Sequence, residues 1–222
     1  MLSEPSCLSE DVTPVSTLRT LAQSVVHRWG LLSPFGAAFL IGVWAIVSIP
    51  SALFRGYHYV EGLTVTIAQS AMQDGNWLTP QLFNLRFIER PTLLSWIIAA
   101  MSYPFGHISP FMARLPILVS VLIGTLLVWR TLQKTARAPA AIFGAAAFLA
   151  CPIVIRYYTT SVADLPLAVI LFGAFLIWWN SFSSGRVTFW RWLLIGCLLA
   201  AAALLKGPQP VAYFVLGILS FS

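Results

Sequence analysis

The sequence predicts an all-α integral membrane protein, a bundle with five or six transmembrane helices. Three observations carry that expectation. Hydrophobic residues make up 59% of the 222 and charged residues only 9%, whereas a soluble domain is about a quarter charged and under half apolar. Apolar runs of spanning length, roughly 17–25 residues for a core about 30 Å thick, recur at 32–53, 111–132, 139–157, 163–180 and 189–205. The charges gather in the connections between those runs and at their ends rather than along them.

Residues 1–30 hold Ser, Thr, Glu and Asp, with Arg19, His27 and Arg28 nearest the first apolar run, and read as a cytoplasmic N-terminal tail. The polar lead is too long and the first run too extended for a cleaved signal peptide, so an uncleaved first helix is expected. A transmembrane domain then occupies 31–222. A sixth apolar run starts at Val211 and has 12 residues up to Ser222, too few to cross the core at about 1.5 Å per residue. A C-terminal portion beyond it is therefore expected.

Lysine and arginine in short loops set orientation. With the N-terminus inside, the inner side carries Arg19, Arg28, Arg130, Lys134, Arg137, Arg186 and Arg191, and beyond the tail these loops contain no acid. The outer side carries Arg55, Arg86, Arg90, Arg114, Arg156 and Lys206, with Glu61, Asp74, Glu89 and Asp164. The net charge of +6 does not point to nucleic acid, because the basic residues are scattered rather than gathered on one soluble face. Cys7, Cys151 and Cys197 lie far apart without metal-ligand spacing and read as small apolar side chains.

The long connection is the first outer loop, about 54–110. Apolar residues at Val60, Leu63, Ile67, Ala68, Ala71 and Met72 follow helical spacing up to Asp74, with Gly75 as the C-terminal cap. Such a helix lies along the interface. The segment 91–106, bounded by Pro91 and by Pro104 and Gly106, is apolar but short and suits an interfacial or re-entrant helix. Tyr57, Tyr59, Trp77 and Trp96 fit an interfacial aromatic belt, and His58 and His107 read as polar interfacial histidines.

Taken singly, the outer charges have ordinary explanations. Asp164 opens an apolar helix and Lys206 closes one, where the helix dipole favours each, while Arg114 and Arg156 have stems long enough to snorkel. Together with Arg90, Glu61 and Glu89 they approach one membrane face. Arginine forks and a helix-end lysine suit phosphate oxygens; a carboxylate among them suits a general base or, with Glu89, a divalent metal.

Four segments then carry a resemblance in order and spacing: the loop from Val60 to Trp96, with Met72, Gly75, Asn76, Trp77, Pro80, Glu89 and Pro91; ARLP at 113–116; ADLPLA at 163–168; and LLKGP at 204–208. They resemble the GT-C glycosyltransferases of the protein O-mannosyltransferase and lipid A aminoarabinose transferase group, over about residues 40–222. The resemblance implies a GT-C-type bundle in a bacterial inner membrane, with its active face periplasmic. It implies transfer of a sugar from a polyisoprenyl-phosphate carrier to a lipid, protein or glycan acceptor. Arg90, Arg114, Arg156 and Lys206 are then expected to bind the donor phosphate, Glu61 and Asp164 to act as catalytic carboxylates, and Glu89 to hold a divalent metal if one is used. The family pattern has Asp-Glu where this chain has Val60-Glu61, and Arg-Tyr where it has Leu63-Thr64. Val60 therefore opens a second reading, a non-catalytic relative that binds the carrier lipid. A transporter or flippase half is the third, but it expects mid-membrane charges and an internal repeat, and the sequence has neither.

Overall fold

The computed structural model describes residues 33–83, 85–87, 91–158, 160–186 and 188–221. Helix α1 (Ser33–Phe54) leads to α2 (Tyr59–Asp74), which ends at Gly75 in the left-handed conformation, φ 72°. A small antiparallel hairpin follows, β1 (Gln81–Leu82) paired with β2 (Leu85–Arg86). Helix α3 (Leu93–Ser102) runs into a 3₁₀ turn at Tyr103–Phe105. Helix α4 (Pro110–Leu132) starts with the Ser109 hydroxyl accepting from the Met112 N–H and with Pro110 at its first position, where the missing N–H is one of the orphans. Helices α5 (Ala138–Leu149), α6 (Pro152–Tyr158), α7 (Asp164–Ser184), α8 (Phe189–Lys206) and α9 (Gln209–Leu219) complete the order.

Among the described residues α1, α4, α7 and α8 are long and apolar enough to cross a membrane. The expected span over 139–157 is instead two helices. Pro152 has no N–H to give to the Phe148 carbonyl and its ring would collide with that turn, so the helix stops at Leu149 and Pro152 begins α6. Helix α3, with 10 residues, reaches only about 15 Å and does not span. Pro91 lies just ahead of it, with Thr92 at the N-cap. The tail over 1–30, with Cys7, lies outside the described residues.

Helix α4 is the centre, in contact with α1, α3, α5, α6 and α7. Its Ala113, Ile117, Leu118 and Val121 are fully buried against Ala68 and Ala71 of α2 and Ile98 and Ala99 of α3. The Trp44 indole N–H donates to the Leu118 carbonyl at 3.0 Å and ties α1 to α4. Large apolar side chains on the outward faces, such as Phe35, Ile46 and Phe143, are more than 70% exposed, as expected where lipid rather than protein covers them.

Close helix approach uses small residues, as is usual where lipid competes equally for apolar side chains. A Cβ on Gly124 would stand 2.9 Å from Val169 Cγ2 and 3.3 Å from the Phe148 ring, while one on Gly42 would meet nothing within 4 Å. Gly124→Leu is expected to cost about 1–3 kcal/mol through overpacking, seen as a lower melting temperature in detergent. Gly42→Leu is expected to leave that temperature unchanged.

Candidate functional site

The α1 helix ends with carbonyls that have no partner within the helix. Arg114, in the second turn of α4, supplies one. Its Nη1 donates to the Ala52 carbonyl at 3.0 Å and the Arg55 carbonyl at 2.8 Å, and its Nη2 to the Gly56 carbonyl at 2.8 Å. The remaining two of a guanidinium's five N–H groups go to Glu61. Nε donates to Oε1 and Nη2 to Oε2, both at 2.8 Å, a bidentate fork between two side chains with no exposed area. The Glu61 oxygens also accept the His58 N–H at 2.7 Å and the Ser161 N–H at 2.8 Å. Every donor of Arg114 and every in-plane acceptor position of Glu61 is used.

Glu61 takes this place because it lies on the buried stripe of α2, with Val65 and Ala68 following at four and seven residues. Burial raises its pKa, but the Arg114 hydrogen bonds, the His58 amide, the Arg114 charge and the Ser161 amide together hold the carboxyl below its ordinary value. The same contacts gather the end of α1 and the starts of α2, α4 and α7 at one end of the bundle.

Beside this knot opens a cleft of about 560 Å³. Val60, Leu63, Thr64 and Ile67 of α2 and Leu94 and Ser95 of α3 contribute to its lining. So do Arg156 and Tyr157 of α6, Asp164 at the start of α7, Lys206 at the end of α8 and Gln209 at the start of α9. Helices α7 and α8 are antiparallel, so the first residue of one and the last of the other meet. There Asp164 Oδ1 accepts from Lys206 Nζ, with the two side chains 29% and 48% exposed. Each charge also suits its helix end.

The structure thus brings Arg156, Asp164 and Lys206 together on the cleft wall and removes Glu61 and Arg114 from it. Those two expected site residues are revised. Glu61 has neither exposed area nor a free lone pair for a substrate proton, and Arg114 has no donor left for a phosphate. Val60, where the family pattern has Asp, faces the cleft, and Glu61, one residue on and about 100° around the helix, faces away from it. Glu89 and Arg90 lie outside the described residues. Among the described residues no three His, Cys, Asp or Glu side chains gather as metal ligands would. The sequence reading did not single out Tyr157 or Gln209 as cleft residues. Their adjacency to Arg156 and to Lys206-Gly207-Pro208 was the available signal.

The family model for dolichyl-phosphate-mannose-protein mannosyltransferase matches residues 89–222. Curated relatives include the undecaprenyl phosphate-alpha-4-amino-4-deoxy-L-arabinose arabinosyl transferases of Erwinia tasmaniensis, 27% identical over 68% of this chain and 28% of the relative, and of an Enterobacter species, 23% identical over 83% and 34%. Among solved structures, ArnT from Cupriavidus metallidurans bound to undecaprenyl phosphate superposes with a TM-score of 0.68 at 21% identity, covering 79% of this chain and 33% of that one. Its apo form gives 0.71 at 21% identity, over 89% and 36%. The fold is therefore that of a multi-helix GT-C membrane protein, and the chain spans about a third of the length of the relatives it matches.

Removing one member of a buried ion pair costs about 3–5 kcal/mol because its partner's charge stays behind. Arg114→Ala and Glu61→Ala are each expected to lower the detergent melting temperature far more than Lys206→Ala does. Since the folded pKa of Glu61 is depressed, its stabilisation is complete above the unfolded carboxylate value of about 4.3. It is lost as pH falls through the lower folded value. Melting curves between pH 7 and 3 should show that loss in the wild type and a smaller one in Glu61→Gln.

Proposed function

Because the chain belongs to the dolichyl-phosphate-mannose-protein mannosyltransferase family, we propose that it acts as a membrane glycosyltransferase. In this reading it moves a sugar from a polyisoprenyl-phosphate carrier to a lipid, protein or glycan acceptor. The observation that carries the reading is the mixed lining of the cleft. Lys206 and Arg156 line it together with Leu63, Ile67 and Leu94, which suits a ligand that carries both a phosphate and a hydrocarbon chain. The named activity of the relatives, transfer from undecaprenyl phosphate, fits the same chemistry.

Lys206 and Arg156 would hold the carrier phosphate, one as a point charge and one as a planar fork. Asp164 is the carboxylate in the described cleft lining and takes the base role. As the phosphate draws Lys206 away, Asp164 accepts the proton of the acceptor hydroxyl. The acceptor oxygen then bonds to the anomeric carbon, and the bond from that carbon to the phosphate oxygen breaks. Its electron pair leaves on the carrier phosphate, where the two cations stabilise it. The Glu61–Arg114 knot positions α2 and the α6–α7 turn for this. Arg90, in the loop just before Pro91, is assigned to the same phosphate and Glu89 to a metal if one is used. The bacterial inner membrane, with the cleft on the periplasmic side and the N-terminus cytoplasmic, is the proposed location.

One observation favours a second reading, a protein that binds the carrier lipid without transfer: Val60 lines the cleft where the family pattern has Asp. The purified chain, given a radiolabelled undecaprenyl-phosphate sugar and membrane lipid acceptors, separates the two. Transfer is expected, and Asp164→Asn is expected to lower it by about 10²–10⁴-fold while carrier binding persists or tightens, because Lys206 loses its competing partner. Lys206→Ala with Arg156→Ala is expected to abolish carrier binding. Binding without transfer, with transfer gained in Val60→Asp, would establish the second reading.

A further inference from the structure

The end of the bundle opposite the cleft holds charges that the proposed transfer does not use. Arg130 sits in the last turn of α4, Lys134 and Arg137 in the connection to α5, Arg186 in the connection from α7 to α8, and Arg191 in the first turn of α8. Apart from Asp164, which lies at the cleft end, no Asp or Glu occurs from residue 75 to 88 or from 90 to 222. Topology signalling requires only that such cations be present in short loops; it does not require that they be tied to one helix. Here they are tied to α7. Lys134 Nζ donates to Asn180 Oδ1 at 3.3 Å, and Arg191 Nη1 donates to Ser181 Oγ and to the Arg186 carbonyl, both at 3.4 Å.

Near its C-terminal end α7 thus meets, on the neighbouring residues Asn180 and Ser181, one cation from the α4–α5 connection and one from the first turn of α8. The partners named are neutral, so no carboxylate among the described residues offsets the charge. Lys134 and Arg186 are exposed. Aromatic side chains occupy the same end of the bundle. The Trp179 ring contacts those of Phe182 and Phe221, with centroids 6.2 and 5.9 Å away, and each of the three is at least 41% exposed. On the α8 side Phe189 and Trp190 are more than 70% exposed. Exposed Trp and Phe beside lysine and arginine at the end of a spanning bundle mark headgroup depth. The anion that reaches such a surface is a lipid phosphate with acyl chains beside the aromatic rings.

We infer that the juncture of the α4–α5 and α7–α8 connections is a binding surface for anionic phospholipid, separate from the cleft. Lys134, Arg186 and Arg191 bind the headgroup phosphate, and the exposed aromatics meet the upper acyl chains. Such a lipid would join the two connections across α7 and brace the antiparallel pair α7 and α8, whose far ends carry Asp164 and Lys206.

The test uses the purified full chain in neutral detergent, with native mass spectrometry and melting curves during titration of phosphatidylglycerol, cardiolipin or phosphatidylcholine. Retained lipid and a raised melting temperature are expected with the two anionic lipids and not with phosphatidylcholine. Lys134→Gln with Arg186→Gln, both exposed positions, should weaken anionic-lipid binding about thirty-fold, from about five- to sixfold per surface cation. Lys206→Ala with Arg156→Ala should leave it unchanged. Equal binding of phosphatidylcholine overturns the inference, as does unaltered binding in Lys134→Gln/Arg186→Gln. Loss of binding in Lys206→Ala/Arg156→Ala instead would place the lipid in the cleft. An equal rise in melting temperature with inorganic phosphate would show a site for soluble anions rather than lipid.

Discussion

A guanidinium withdrawn from water costs several kcal/mol unless its charge and all its donors are answered, and the fold answers those of Arg114 from several chain segments at once. The α1 terminus gives three carbonyls, and α2 gives a carboxylate that is itself completed by the His58 and Ser161 amides. None of these groups has an equivalent partner elsewhere, so the pieces are held in one arrangement. The end of a spanning helix, the start of the loop helix and the turn before α7 have little freedom to shift independently. This makes the pair a device of geometry more than of net stability, since a buried ion pair often does no better than a well-packed apolar substitute.

The cleft is a consequence of that fixation. Holding α2 by Glu61 turns the neighbouring positions Val60, Leu63, Thr64 and Ile67 toward the α6–α7 turn. The Ser161 amide, bonded to Glu61, places that turn so that Arg156 and Asp164 flanking it come to the cleft lining. Helix α3 closes the side through the Ser95 hydroxyl, which donates to the Thr64 carbonyl at 3.2 Å, and the Trp96 indole, which donates to the Trp77 carbonyl at 2.6 Å. The charged groups that remain on the cleft wall are those the knot does not consume, and the exposed Asp164–Lys206 pair is open to exchange with an anion in a way that the buried pair is not.

Much of this was legible along the chain because the signals are local. The helix over 60–74 and its Gly75 cap follow from spacing and from the one residue type that adopts φ 72° without strain. The placing of Asp164 and Lys206 at one membrane face follows from their positions at the ends of apolar helices, while their pairing came from the packing. The role of Glu61 was harder to read. In the sequence the apolar face ran through Val60, Leu63 and Ile67, and nothing in the loop pointed Glu61 to a partner 53 positions away. Arg114 read as an interfacial cation available to a phosphate because its burial depends on carbonyls and a carboxylate supplied from other segments. The break before Pro152 was written in the sequence, but the continuous apolar composition of 139–157 masked it.

By itself the sequence determined the solvent, the helical class, the positions of the long spans and the family, because each rests on composition, periodicity or short motifs. It also determined which charges exist at each end. Only the tertiary structure decided which of them line the cleft and which are buried against each other. That division depends on helix rotation. One residue along α2 is about 100°, enough to send Glu61 into a saturated buried pair and leave Val60 on the cleft wall. It depends as well on which loops come together. The cations of the α4–α5 and α7–α8 connections are separate basic loops in the sequence, and packing around α7 makes them one surface.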